Sequence, residues 1–287
     1  MANLKEIRSR ITSVASTMQI TSAMKMVSAA KLKRAQDAIT QMRPYANKLT
    51  QLLEGLSAIL DSSGGGVYSE KREIKKVLLV TITSNRGLCG GFNANILKKA
   101  KALINDEYSN VGVDILSIGK KSSEHFDKNG FDVIEKHDSL FADLTFENVA
   151  KVAEAIMQKF ASLEYDKVVL VYNQFKNAAT QIIMTENFLP IQKSANEHSV
   201  SGDYIFEPTK QEIVTELIPK SLKTQLFKSI LDSHAAEHGA RMTAMHKATD
   251  NAGELKKELT LTYNKARQAA ITGEILEIVG GAEALNG

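Results

Sequence analysis

Apolar positions along the chain fall into three regimes. From Leu4 a 3-4 repeat runs through Ile7, Ile11, Val14, Met18, Thr21, Lys25, Ser28, Leu32, Ala35, Ile39, Met42, Ala46, Leu49, Leu53, Leu56 and Leu60. Fourteen of these 17 positions are apolar, a coiled-coil periodicity sustained over about eight heptads. The exceptions cluster at Thr21, Lys25 and Ser28, and there the apolar stripe is expected to slip to Ile20, Met24 and Val27. Pro44 cannot donate to the carbonyl of Thr40, so a bend or a local break is expected. At the other end a less regular repeat reads Met245, Ala248, Ala252, Leu255, Leu259, Thr262, Ala266, Ala269. Gly239, Gly253 and Gly273 are expected weak points in it, at roughly 1 kcal/mol each relative to Ala, within what is still one long helix. Sixty helical residues span about 90 Å, too long for one α/β domain to cover. The terminal helices are therefore expected to pair antiparallel with each other and to project from the middle.

The middle alternates short β-branched runs with helical ones. Lys76–Ser84 reads as a buried strand, Asn85–Gly91 (NRGLCGG) as a glycine loop, and Asn93–Tyr108 as a helix with Asn93 as its cap. Strands follow at Val113–Ile118, Phe131–Lys136, Lys167–Tyr172 and Gln181–Glu186, with helices at Lys120–Asn129 and Thr145–Leu163. Thr145 and Asn148 stand where a capping box has its Ser/Thr and Glu/Gln. Alternation of this kind predicts an open, mostly parallel sheet with helices on both faces. The expected fold class is α/β: a Rossmann-like three-layer α/β domain over residues 70–215, flanked by an N-terminal coiled-coil helix (1–60) and a C-terminal one (219–287).

Composition sharpens this division. The chain has 287 residues, 36 Lys+Arg against 33 Asp+Glu, and 43% hydrophobic residues, the profile of a folded protein. Four prolines stand where average usage gives about 14, and none follows Pro219. The 10 Phe and 7 Tyr concentrate in the middle, where a compact core is expected. Residues 1–60 carry 9 Lys+Arg and 3 Asp+Glu, whereas the middle is net acidic. A basic helix is either a solvated face or a docking face for an acidic partner. Without aromatic interleaving it does not read as a nucleic-acid binder. No apolar run approaches the ~20 residues of a membrane span, so direct membrane insertion is not expected. The opening MANLKEIRSR lacks the apolar core of a signal peptide, which suggests an intracellular protein.

Candidate chemistry is sparse. GLCGGFN follows a strand and opens a helix, the right context for phosphate binding, but it is neither G-x-G-x-x-G nor a P-loop. Tight-turn chemistry is the simpler explanation. Cys89, the single cysteine, excludes an internal disulfide, and no histidine can be placed beside it as a base. His234 and His238 have the i,i+4 spacing of paired metal ligands but lack a third ligand, which leaves a solvated helix face as the plain alternative. No catalytic constellation, metal or cofactor is expected. Periodicity alone is also compatible with a homodimeric scaffold, and the glycine loop with a nucleotide-binding enzyme.

Four stretches, in order, carry a more specific message. They are KEIRSRITSVASTMQITSAMKMVSAAKLK (5–33), SNRGLCGGFN (84–93), ARMTAMHKATDNAGEL (240–255) and YNKARQAAITGEILEIVGGAEAL (263–285). The last fits I-T-x-E-x2-[DE]-x3-G-A-x-[SAKR] through Ile271, Thr272, Glu274, Glu277, Gly281, Ala282 and Ala284. Over its full length the chain resembles the gamma subunits of F-type ATP synthases, of bacterial type. That resemblance implies a non-catalytic central rotor. Its terminal helices would turn inside a ring of alpha and beta subunits, and its α/β domain would meet the epsilon subunit and the c-subunit membrane ring. It would sit peripherally on the cytoplasmic side of a bacterial inner membrane and couple proton flow to the beta catalytic sites. Under the resemblance, Met24 matches the contact with a beta-subunit lever, beside a basic face of Lys25, Lys31, Lys33 and Arg34. Arg267, Gln268 and Thr272 match positions that hydrogen-bond to a beta loop as a releasable catch. Tyr204, Phe206 and Glu207 match the region that meets the membrane ring. With Cys89 alone, the two-cysteine redox loop of the chloroplast branch is excluded. The apolar extreme C-terminus, Ile275 to Leu285, is expected to outrun its partner helix and to need a sleeve.

Overall fold

The structure, a computed structural model, describes residues 4–62, 67–70, 72–191 and 210–286. Two long helices bracket it: α1 (Leu4–Ser62) and α5 (Lys210–Asn286). α1 passes through Pro44 without a break. Pro44 and Thr40 both lie on the exposed side, so the carbonyl that loses its donor is open to water and the interruption is cheap.

Between them lie β1 (Lys76–Ile82), α2 (Phe92–Ala102, continued by a π turn Leu103–Glu107), β2 (Gly112–Ile118), α3 (Lys120–Lys128), β3 (Val133–Lys136), α4 (Phe146–Ala161), β4 (Lys167–Phe175) and β5 (Gln181–Leu189). The strands form one sheet in the order β3-β2-β1-β4-β5. Its first four strands are parallel, and β5 pairs antiparallel with β4. β1 is apolar almost throughout because it is covered on both faces. One face packs Leu78, Val80, Leu116 and Leu170 under α4 and the start of α5. The other packs Val77, Leu79, Ile115 and Val169 under α2 and α3. This is the expected three-layer α/β arrangement.

Element edges differ from expectation for local reasons. β4 runs three residues further because Phe175 pairs with Gln181 across a turn in which Asn177 Oδ1 accepts from the Ala179 and Thr180 N–H groups, and β5 runs three further at its other end, where Asn187 and Leu189 pair with Val169 and Val168. α2 starts at Phe92 behind Gly91, not behind Asn93. Asn93 instead folds back, its Oδ1 accepting from the Ser84 N–H at 3.0 Å. Thr145 caps α4 as expected, but Asn148 turns its amide to Asp143, so the capping box is only half formed. Gly119 (φ 104°) is obligatory in the β2–α3 turn, since a Cβ there would stand 2.1 Å from Thr83 O.

The chain divides into two compact units, Met1–Ser28 with Met242–Gly287, and Ala29–Arg241. Both long helices contribute to both units.

Candidate functional site

In the first unit the two helices pair antiparallel. Thr21 Oγ1 lies 2.8 Å from Thr249 Oγ1, and a Cβ on Gly253 would stand 3.9 Å from Met18 Sδ. On α1 the 3-4 seam does not slip. Thr21 and Ser28 stay buried and Lys25 half-buried, in line with Ile7 before them and Leu32, Ala35 and Ile39 after. The stripe expected to replace them points outward: Ile20 is 60% exposed and Val27 57%, with Met26 at 64% and Met24 half-buried. The seam hydroxyls are satisfied locally, Ser28 Oγ donating to Met24 O at 2.7 Å.

α5 also departs from its expected repeat. Ala252, Lys256, Leu259, Tyr263 and Ala266 face inward, while Leu255 and Thr262 are exposed. The spacing there is 4-3 rather than 3-4, and the aliphatic stem of Lys256 takes a seam place. Extending the pairing phase residue by residue brings Leu4 level with about residue 267. α5 runs on to Asn286, roughly 28 Å further. Over that length Ile271, Ile275, Leu276, Ile278 and Val279 are exposed. Arg267, Gln268 and Thr272 are exposed where the pairing ends, with Thr272 Oγ1 donating to Gln268 O of its own helix.

In the second unit Lys31, Lys33 and Arg34 are exposed, with Lys33 Nζ 2.9 Å from Asp37. Here α5 is enclosed almost all round between Ser229 and Arg241 although much of it is polar. Arg241 is its key. The guanidinium donates to Arg86 O (3.0 Å) and Gly87 O (3.3 Å) and is held by Glu237 Oε1 at 2.6 Å. The glycine loop thus turns carbonyls, not amides, toward a cation, the opposite of a phosphate cradle. Cys89 and Phe92 pack on Ala236 and Ala240 of α5, and burial pushes the Cys89 thiol up, away from the reactive thiolate. Leu88 (φ 62°) and Gly90 (φ 59°) turn the loop tip through left-handed backbone. Sequence reasoning passed over Arg241 because nothing local links it to a loop more than 150 residues away.

His234 and His238 are neither a metal pair nor a solvated face. His238 is buried, and the two Nε2 atoms lie 3.1 Å apart. Arg241 Nη1 stands 3.4 Å from His238 Nδ1. A guanidinium can only donate, so Nδ1 accepts and the His238 proton sits on Nε2, aimed at His234 Nε2. No two lone pairs converge on a cation. Burial, together with the charges of Arg241 and Lys31, pulls His234 down to about 4 and His238 to about 3. His234 stacks on Phe141 at 5.8 Å. Nearby, Asp232 is buried with Arg43 Nη2 at 3.6 Å, and burial raises its carboxyl. Among the described residues no three His, Cys, Asp or Glu side chains group as metal ligands, and no helix is long and apolar enough to cross a membrane. Tyr204, Phe206 and Glu207 lie outside the described residues.

A family model described as ATP synthase matches residues 3–285. The ATP synthase gamma chain of Flavobacterium johnsoniae is 67% identical over 288 residues, covering all of both chains. That of Chlorobaculum tepidum is 46% identical over 290 residues, covering 99% of each. Among solved structures, a chain of the Tetrahymena thermophila mitochondrial ATP synthase central stalk and c-ring aligns with a TM-score of 0.63 at 27% identity, over 80% of this chain and 99% of that one. A chain of the Euglena gracilis mitochondrial OSCP/F1/c-ring structure shares the fold, with a TM-score of 0.71 at 22% identity over 98% of this chain and 94% of that one.

Proposed function

The chain belongs to the ATP synthase gamma-chain family, and from that premise we propose that it is the central rotor shaft of a bacterial, proton-translocating F-type ATP synthase. One observation carries the proposal. α5 outlasts its partner helix, and its apolar tip is bare. An exposed row of Ile, Leu and Val is unfavourable in water and calls for a surrounding sleeve. The sleeve is the ring of alpha and beta subunits. A tip held by apolar contact alone can turn in it, because such contact has no preferred direction.

The shaft makes no ATP itself. It relays rotation of the c-subunit ring to the beta sites. Met24, Lys25, Lys31, Lys33 and Arg34 form the face that meets the beta lever. Met24 supplies apolar contact and the four cations attract an acidic partner. Arg267, Gln268 and Thr272 form the catch on a beta loop. Hydrogen bonds made there at the surface are individually weak enough to be broken once per turn. Tyr204, Phe206 and Glu207 contact the membrane ring, and the α/β domain also binds epsilon. The assembly places the chain peripherally on the cytoplasmic side of the inner membrane.

The test is affinity purification of a tagged full-length chain from its own host. Alpha, beta and epsilon should co-purify, and the purified chain alone should hydrolyse no ATP. Robust turnover by the isolated chain, or its recovery without alpha and beta, would overturn the proposal.

A further inference from the structure

Three side chains of α5 form a chain of hydrogen bonds with room for one arrangement of protons. Arg241 Nη1 stands 3.4 Å from His238 Nδ1, and His238 Nε2 lies 3.1 Å from His234 Nε2. A guanidinium has only donors, so His238 Nδ1 accepts, the His238 proton is on Nε2, and His234 Nε2 accepts in turn. An added proton finds no place here. On His238 Nδ1 it meets the N–H groups of Arg241. On His234 Nε2 it meets the His238 N–H, and a tautomer shift that relieves this contact sends a proton to Nδ1, against Arg241 again.

The far end of the chain is the glycine loop. Arg241 Nη2 donates to Arg86 O at 3.0 Å and to Gly87 O at 3.3 Å. Cys89 of the same loop is sealed against Ala236 and Ala240. A guanidinium pushed away from His238 gives up the loop carbonyls. The surrounding charges favour this. Glu237 holds Arg241 at 2.6 Å, and Lys31 of α1 adds a second positive charge to the cluster. Phe141, stacked on His234, brings none, and the loop offers only its carbonyls and the neutral Cys89 thiol. One carboxylate already faces two cations, and a histidinium adds a third.

We propose that the joint between the glycine loop and α5 is an acid-opened latch: protonation of the His234–His238 pair drives Arg241 off the loop carbonyls and bares Cys89 while the sheet stays folded. The latch does not depend on the rotor reading. In the open joint both rings return to the ordinary value near 6.5. In the closed joint burial and the neighbouring cations hold them at about 4 and about 3. The open joint therefore binds the extra protons, and closure weakens as pH falls from about 6.5 toward 4. Glu237 acts in the opposite sense. Burial raises its carboxyl, so the closed joint takes that proton more readily. One carboxyl blunts the response of two imidazoles without reversing it.

The single native cysteine reports the opening. The full-length chain is treated with a pyridyl disulfide at pH 7, 6 and 5, and each labelling rate is divided by that of a free thiol at the same pH. Each imidazole eases opening by up to about tenfold per pH unit below 6.5, so the normalised rate should climb on the order of 100-fold by pH 5. In H238Q the new carbonyl still accepts from Arg241 and the amide still donates to His234, and the climb should shrink to about tenfold. H234Q supplies the same comparison if H238Q does not fold. A153C on α4, in a C89S chain, reports global unfolding from a sealed site. At pH 5 it should label at least about tenfold more slowly than Cys89 does in the parent. A parent rate that does not climb, an H238Q climb equal to the parent's, or A153C labelling as fast as Cys89 at pH 5 overturns the latch.

Discussion

At the scale of single residues, three glycines of one composition class have three different surroundings. A Cβ on Gly239 would stand 3.1 Å from Ala178 Cα and 3.3 Å from Phe175 Cε2, so the backbone of the β4–β5 turn would have to give way by a few tenths of an ångström. Gly253 meets only Met18 Sδ at 3.9 Å, and Gly273 meets nothing within 4 Å. Gly253→Ala should therefore stabilise the full-length chain by about 1 kcal/mol through helix propensity. Gly239→Ala should destabilise it by about 1–3 kcal/mol through overpacking. Thermal melts of the two variants, moving in opposite directions, check this. Arg241 is a second case. Arg241→Met would leave Glu237 buried without its cation, a loss of about 3–5 kcal/mol, and free the carbonyls of Arg86 and Gly87. The double variant Arg241→Met/Glu237→Met should recover much of that loss in urea unfolding, because no orphan charge remains. His234 and His238 set an acid limit. Their folded values, about 4 and about 3, lie below the ordinary histidine value near 6.5. The unfolded chain then binds the extra protons, and stability falls as pH drops from about 6.5 toward 4. His238→Gln can still accept from Arg241 and donate to His234, and it should flatten that decline in chemical melts taken at pH 7, 6 and 5.

At the scale of elements, what could be read in advance depended on where the stabilising contacts come from. β1, α4 and the 3-4 repeat of α1 were legible because each buries a face large enough to impose its period on the sequence. The same rule misled at Ile20, Met24 and Val27. Periodicity assigns apolar side chains to the nearest seam, whereas here Ile20 and Val27 face out, Met24 is half-buried, and Thr21 meets Thr249 in the seam. Periodicity reports that a face is apolar and not which neighbour covers it. The α5 seam drifted for a related reason. With Ala248, Ala252 and Ala266 among its inward positions the repeat is weak, and Lys256 takes by its stem a place that a hydropathy pattern reserves for Leu255. The glycine loop was recognisable as a motif, but its role was not. Its partner Arg241 lies on the last helix, and only folding brings a guanidinium against the Arg86 and Gly87 carbonyls. Of the positions assigned to partners, those at 24–34 and 267–272 could be located by resemblance alone. Among the described residues their side chains make the Lys33–Asp37 pair and the Thr272 bond to its own helix, and Lys31 adds its charge near His234 and His238; these contacts do not point to a partner.

At the scale of the whole chain, stability and function draw on different apolar groups, and this gives the clearest separation of the two. The residues that hold the α/β unit together, such as Phe160, Leu170 and Leu226, are sealed. The row Ile271, Ile275, Leu276, Ile278 and Val279 is not, and Ile278 is 71% exposed. A side chain that is as exposed in the fold as in the unfolded chain contributes almost nothing to folding free energy. Ending the chain after Ala270 should thus leave the melting temperature of the isolated chain within about 2 °C of the parent, roughly the shift that a loss of 1 kcal/mol produces in a chain of this size. In the complex the same side chains would be covered, and removing five aliphatic anchors withdraws apolar area that only the sleeve supplies. Complexes assembled with the shortened chain should release it more readily in salt and dilution washes, and their ATP-driven torque should fall. The comparison needs both measurements, since a melt that drops together with retention would mean that the tip folds back on its own chain. An unchanged melt with unchanged retention and torque would mean that the exposed row has no sleeve. Only the combination of an intact fold and a weakened grip assigns this apolar surface to the partners rather than to the chain that carries it.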